Sequence, residues 1–190
     1  MLPSRPTSLP RRVGIALAVA VVLAVGLAAA TTASAQSRPS YAFENRGTHG
    51  VLDVAGESTA AGARVVDWPW HGGFNQRWRP DSPVTVGDLH YTRLVAGHSG
   101  RCLDLDGGKA LFGVAIVQNP CTTSHSQQWR IEYVGGFQIN SYFRLIPRAA
   151  EDKGLVAVVS QWAPGPGQEL VLAFRGSATS VFQHFYLKVL

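Results

Sequence analysis

Residues 51–79 read VLDVAGESTAAGARVVDWPWHGGFNQRWR, and residues 102–130 read CLDLDGGKALFGVAIVQNPCTTSHSQQWR. At a shift of 51 and with no gap, Val51-Leu52-Asp53-Val54 falls on Cys102-Leu103-Asp104-Leu105, and Gln76-Arg77-Trp78-Arg79 falls on Gln127-Gln128-Trp129-Arg130. Between them Gly62 meets Gly113, Val65 meets Ile116 and Trp70 meets Cys121. A fixed period of this size marks a chain built by repeating one supersecondary unit. The same shift carries Tyr91-Thr92-Arg93-Leu94 onto Tyr142-Phe143-Arg144-Leu145 and opens a third unit. That unit is worn: Leu155-Val156-Ala157-Val158 stands where the Asp-bearing segment belongs, and Gln183-His184-Phe185 replaces Gln-x-Trp. The units run over about 41–90, 91–140 and 141–190, after a short tail at 36–40.

Within a unit, Val51–Val54, Ala63–Val66, Cys102–Leu105 and Val114–Val117 are apolar, β-branched and bounded by glycine, which predicts strands. No segment beyond Ala35 keeps a helical period between a cap and a glycine stop, so helix is expected to be minor. About four strands per unit are too few to bury an apolar face alone. Three units are also fewer than the four or so blades a propeller needs. An all-β, pseudo-three-fold arrangement of about twelve strands around one shared core removes the open edges.

The basic balance does not point to nucleic acid. Lysine and arginine exceed the acidic residues by 17 to 12, but residues 1–35 hold Arg5, Arg11 and Arg12 and no acid, which leaves the remainder at +2. Arg11-Arg12, the apolar run Val13–Ala30 and the small-residue ending Thr31-Thr32-Ala33-Ser34-Ala35 predict a signal peptide over 1–35, cleaved near Ala35. The expected product is a secreted chain of 155 residues with no membrane span. In an oxidising compartment its two cysteines, Cys102 and Cys121, are expected to pair. A metal site recruiting His125 would have only three ligands and no recognised zinc spacing, so no metal and no cofactor is expected.

Leu-Asp-Val, Gly-x-x-Val, Trp-Pro or Pro-Cys, and Gln-x-Trp, in that order and in register, resemble the ricin B-type lectin family over about 41–190. The resemblance implies a β-trefoil. It also implies a disulfide inside a repeat at the positions of Cys102 and Cys121, which in the first unit are Val51 and Trp70. Carried over residue by residue, the sugar-binding Asp matches Asp53, the stacking aromatic Trp68 and the binding Asn Asn75. One departure is Val66, where a polar contact is often found.

Chemistry supports that assignment. A carboxylate between apolar strand residues is unfavourable unless it faces water or has partners, and a sugar ring supplies hydroxyl donors with an apolar face for an indole. The second unit keeps Asp104 but has Asn119 and Ser126 at the other two positions, so only a weaker site is expected there. In the third, Ala157, Arg175 and Phe182 reproduce none of it. Gln76, Trp78, Gln127, Trp129, Gln183 and Phe185 read as framework: the rings suit a shared core, and the amides suit backbone groups in the neighbouring turn.

Asp104-Leu105-Asp106-Gly107 imitates the start of a calcium loop but lacks its later ligands, and no nucleophile elbow or His-Glu-x-x-His appears. The expectation is a secreted, non-catalytic lectin whose partner is a galactose-type or related glycan or polysaccharide. The alternative is a trefoil interaction or inhibitor protein, with a protein partner, that has lost sugar binding.

Overall fold

The computed structural model describes residues 39–160, 165–176 and 180–190. The expected signal peptide over 1–35 lies outside the described residues, as do 36–38 of the tail. Twelve strands follow one another: β1 Tyr41–Asn45, β2 Val51–Val54, β3 Ala63–Trp68, β4 Trp78–Val86, β5 Leu89–Ala96, β6 Cys102–Leu105, β7 Ile116–Asn119, β8 Trp129–Gly135, β9 Tyr142–Pro147, β10 Leu155–Val159, β11 Gln168–Phe174 and β12 Phe185–Val189. Helix among the described residues is confined to short 3-10 turns, and none of it is long and apolar enough to cross a membrane.

Six strands close a barrel. β1 pairs β4, β4 pairs β5, β5 pairs β8, β8 pairs β9, β9 pairs β12, and β12 returns to β1, all antiparallel. The ring leaves no strand edge open within it. The other six strands form three hairpins, β2–β3, β6–β7 and β10–β11, one per unit. These hairpins join one another through β3–β7, β11–β3 and the single bridge Ala115–Val171, which closes a triangular cap over the barrel. The architecture is a β-trefoil.

The three units share one core, which explains why none of them has to bury an apolar face alone. Phe43, Leu52, Leu94, Leu103, Leu145, Leu170, Trp78, Trp129 and Phe185 belong to a single buried cluster. The indole of Trp78 donates to Leu52 O at 3.0 Å and that of Trp129 to Leu103 O at 2.9 Å, so each ring ties the barrel to its own unit's hairpin. Phe185 fills the same place by packing alone, being fully buried without a polar atom to satisfy. Cys102 and Cys121 form a disulfide across the second hairpin, with Cα atoms 5.0 Å apart.

Two strands differ from the sequence expectation; the segment expected at Ala63–Val66 runs on to Trp68 as β3. The segment expected at Val114–Val117 is β7, Ile116–Asn119. Val114 and Ala115 are drawn away to the third unit: Val114 O accepts from Leu172 N at 2.9 Å, and Ala115 bridges Val171. A non-local pairing therefore sets the start of that strand.

Candidate functional site

Hairpin β2–β3 of the first unit and the turn Phe74–Gln76 enclose a cleft of about 430 Å³, lined by Asp53, the Ala55-Gly56-Glu57 turn, Val66, Trp68, His71, Asn75 and Gly167. Asp53 and Val66 are opposed in the ladder. Trp68 lies two residues along β3 from Val66, so both point to the same face. Gly167 comes from the third unit, so the cleft is walled by two repeats.

Asp53 is the floor of the cleft. It is 3% exposed, and the described side chains hold it from three sides. Asn75 Nδ2 donates to Oδ1 at 2.9 Å, Gln76 Nε2 donates to Oδ2 at 2.8 Å, and His71 Nε2 lies 3.3 Å from Oδ2. Burial pushes the Asp53 carboxyl above its ordinary range; the Gln76 and His71 hydrogen bonds, the His71 charge and Asn75 oppose the rise. The indole of Trp68 is 42% exposed, in contrast to the fully buried Trp78 and Trp129.

Asn75 has a role that the sequence does not specify. Its Nδ2 donates to Asp53 and also to Val54 O at 3.3 Å, while its Oδ1 is buried with no hydrogen-bond partner among the described residues. The amide nitrogen therefore positions Asp53, and Asn75 itself lines the cleft. A carboxylate oxygen can accept more than one hydrogen bond, so the Asp53 carboxylate keeps acceptor capacity at the floor of the cleft. Gly73 makes room for the Asn75 amide: a Cβ there would sit 2.4 Å from Asn75 Oδ1.

Gln76 is both frame and support. Its Oε1 accepts from His71 N at 2.9 Å and Gly72 N at 3.2 Å, and its Nε2 bonds Pro69 O at 2.9 Å as well as Asp53. The backbone bonds satisfy the turn as expected; the bond to Asp53 goes further. His71 has no counterpart in the sequence argument. Its only sequence signal is its place in the loop that Gln76 orders.

The second unit repeats the frame and closes the floor. Gln127 Oε1 accepts from Thr122 N at 2.7 Å, and its Nε2 donates to Pro120 O and to Asp104 Oδ2, both at 3.0 Å. Asn119, in the place of Trp68, turns inward instead of outward. Its Nδ2 donates to Asp104 Oδ2 at 3.0 Å and its Oδ1 accepts from Gly62 N at 3.0 Å. Asp104 Oδ1 accepts from Leu105 N at 2.7 Å, and the Ser126 hydroxyl bonds Ser124 at 2.8 Å. The second carboxylate, 6% exposed, is thus bonded by Asn119, Gln127 and the Leu105 N–H.

In the third unit, Gln183 keeps the frame, bonding Phe174 O at 2.7 Å and Gly176 N at 2.8 Å. Ala157 occupies the Asp place. Ladder register corrects one position: Leu155 opposes Phe174 as Val51 opposes Trp68, so Phe174 rather than Arg175 stands at the aromatic place. Phe174 is exposed and stacks on Phe112 of the second unit, with ring centroids 5.6 Å apart. A one-residue difference in the spacing to the Gln, nine residues from Phe174 to Gln183 against eight from Trp68 to Gln76, hides this register in the sequence.

Two overlapping stretches, residues 30–110 and 84–172, match the family described as ricin-type beta-trefoil lectin domain-like. The chain belongs to that family. Among solved structures similar to this lectin-family chain, the designed three-fold symmetric protein ThreeFoil is 28% identical, with 80% of this chain and 99% of that one covered at a TM-score of 0.69. The exo-beta-1,3-galactanase 1,3Gal43A from Clostridium thermocellum is 23% identical, with a TM-score of 0.68; 80% of this chain matches 30% of the enzyme. The Macrolepiota procera ricin B-like lectin, solved in complex with lactose, is 19% identical, with 78% of this chain and 94% of that one covered at a TM-score of 0.60. The last two likenesses speak for the fold.

Proposed function

We propose that this is a secreted, non-catalytic lectin that binds galactose-type or related glycans through the first-unit cleft. The observation that carries the reading is the Asp53 carboxylate, held by Asn75 and Gln76 at the floor of the cleft beside the exposed face of Trp68. Two adjacent hydroxyls of a pyranose can donate to that carboxylate while the apolar face of the ring covers the indole. Val66 adds an apolar wall where a polar side chain would select a further hydroxyl. Lactose on the Macrolepiota lectin and the likeness to an exo-beta-1,3-galactanase favour galactose-type sugars. A non-catalytic role is favoured because Asp53 and Asp104 are each bonded by the Gln of their own unit and do not face one another across one cleft.

Secretion rests on the leader reading of residues 1–35 and on the disulfide, which suits an oxidising compartment. Glycan-array binding of the mature protein, followed by calorimetry on the best sugar, tests the function. Binding is expected to be lost in Trp68→Ala and weakened in Asp53→Asn; unchanged binding in both folded variants rejects the cleft and favours the interaction-protein alternative.

A further inference from the structure

Strand β3 presents Val66 and Trp68 to the first-unit cleft, and the alternation of strand side chains sends Asp67, between them, to the other face. A second cleft of about 450 Å³ lies there, lined by Thr48, His49, Gly50, Asp67, Pro69 and Gly165-Pro166. Asp67 is 4% exposed. Its Oδ1 accepts from Thr48 Oγ1 at 2.9 Å, and no described residue donates to Oδ2. Burial holds this carboxyl above its ordinary range, opposed by the Thr48 hydroxyl. Gly50 makes the room, since a Cβ there would sit 2.5 Å from both carboxylate oxygens.

The second unit shows the same position closed. One period on, Gln118 replaces Asp67 and Ser99 replaces Thr48. Gln118 Oε1 accepts from Ser99 Oγ at 2.7 Å, and its Nε2 donates to Ser58 O at 2.6 Å and Ala60 O at 3.0 Å, carbonyls of the neighbouring hairpin. An amide satisfies such carbonyls; a carboxylate, which only accepts, does not. In the first unit the neighbouring segment brings Gly165 and Pro166. Proline has no N–H, and the Gly167 N–H is bound to the Asp67 backbone oxygen at 2.8 Å.

A buried anion with, among the described residues, one neutral donor and a spare oxygen, opening on a cleft, calls for a cationic donor, because hydrogen bonds between ions are about twice as strong as those between neutral groups. We propose that this cleft is a second ligand site, distinct from the first-unit sugar cleft, which takes the primary ammonium of an amino sugar on Asp67. Pro69 and Pro166 supply apolar surface for the ring carbons. An amino sugar is favoured over a lysine side chain because one strand, β3, separates this cleft from the sugar cleft. A glycan carrying a free amine can therefore meet both.

The test titrates glucosamine, N-acetylglucosamine and Nα-acetyl-lysine methyl ester into the protein, Asp67→Asn and Asp53→Asn, with binding read by amide chemical shifts. Glucosamine is expected to bind in the millimolar range, weakened at least tenfold in Asp67→Asn and unchanged in Asp53→Asn, moving the amides of Thr48, Gly50 and Gly167. N-acetylglucosamine, whose nitrogen is uncharged, is expected not to move them. Shifts centred on Ala55–Glu57 and Asn75, or a glucosamine affinity unchanged in Asp67→Asn, overturn the proposal. Binding of the lysine ester without glucosamine overturns the amino-sugar assignment, and no binding of either amine overturns the site. If Asp67→Asn does not fold, the shift map of the unsubstituted protein decides between the clefts. Because Asp53→Asn disables only the sugar cleft, failure here and failure of the lectin reading are separate results.

Discussion

The first and second units carry the same carboxylate on the same strand, held by the same glutamine, yet a residue on the opposing strand treats the two differently. Asp53 and Asp104 each accept from the framework Gln of their own unit. The difference lies two residues along the opposing strand. Trp68 is too large to fold over Asp53 and stands outward, leaving the carboxylate at the base of a cleft. Asn119 is small and polar, folds over Asp104 and bonds it, and its other end is tied to Gly62 of the first unit. The hydrogen bonds that an acidic residue accepts in this fold therefore depend on what its neighbour does with its own polarity.

The comparison breaks first if the frames of the two units are not equivalent. Trp78→Ala and Trp129→Ala are each expected to lower the unfolding free energy by about 3–5 kcal/mol, as large-to-small changes in one shared core. Denaturant melts of the two variants should agree closely; a large gap would mean that the units contribute unequally to the barrel. Replacing both Cys102 and Cys121 with serine is the next largest change. The loop spans 19 positions, and stability should fall by about 3 kcal/mol with the fold retained, since the first and third units form the same hairpin unbridged. Circular dichroism lacking the trefoil signature after the double replacement would contradict this.

Binding sharpens the comparison at the two carboxylates themselves. Asp53→Asn should weaken sugar binding by about 1.5–3 kcal/mol, the range for hydrogen bonds to a charged group. Asp104→Asn should leave sugar binding unchanged, because Asn119 already occupies that acceptor. Calorimetry on both variants is decisive: equal losses would show that the second unit opens in solution.

The smallest effect concerns the third unit. His184 is fully buried, and both of its ring nitrogens lack partners among the described residues. Burial, with the Arg144 and Arg46 charges, depresses its pKa to about 4. The unfolded histidine, with a pKa of about 6.5, takes up a proton first as the pH falls. Stability contributed at this site should therefore decline between pH 6.5 and about 4, and His184→Phe should flatten the decline. Asp53 and Asp67, whose carboxyls are raised, act in the opposite sense on acidification, so the comparison must be between the protein and the variant at each pH.

The sequence by itself determined the repeat, and the repeat determined the trefoil. Apolar alternation, glycine punctuation and the Gln-x-Trp ends are local patterns, and a period of 51 residues copies them whether or not the neighbouring unit is known. It also singled out Asp53, Trp68 and Asn75, which the fold brings into one cleft. Tertiary structure alone decided how their polar atoms are shared. The Asn75 nitrogen serves both Asp53 and Val54 O, His71 reaches Asp53 because Gln76 orders the loop between them, and Asp104 is bonded by an asparagine anchored on another unit. The register that puts Phe174 at the aromatic place, and the pairing that delays β7 to Ile116, depend likewise on strands far apart in the chain. A period records which residue stands at a position; which donor meets which acceptor is settled only when separate units pack, because hydrogen bonds depend on distances of a few ångströms between segments that the sequence keeps tens of residues apart.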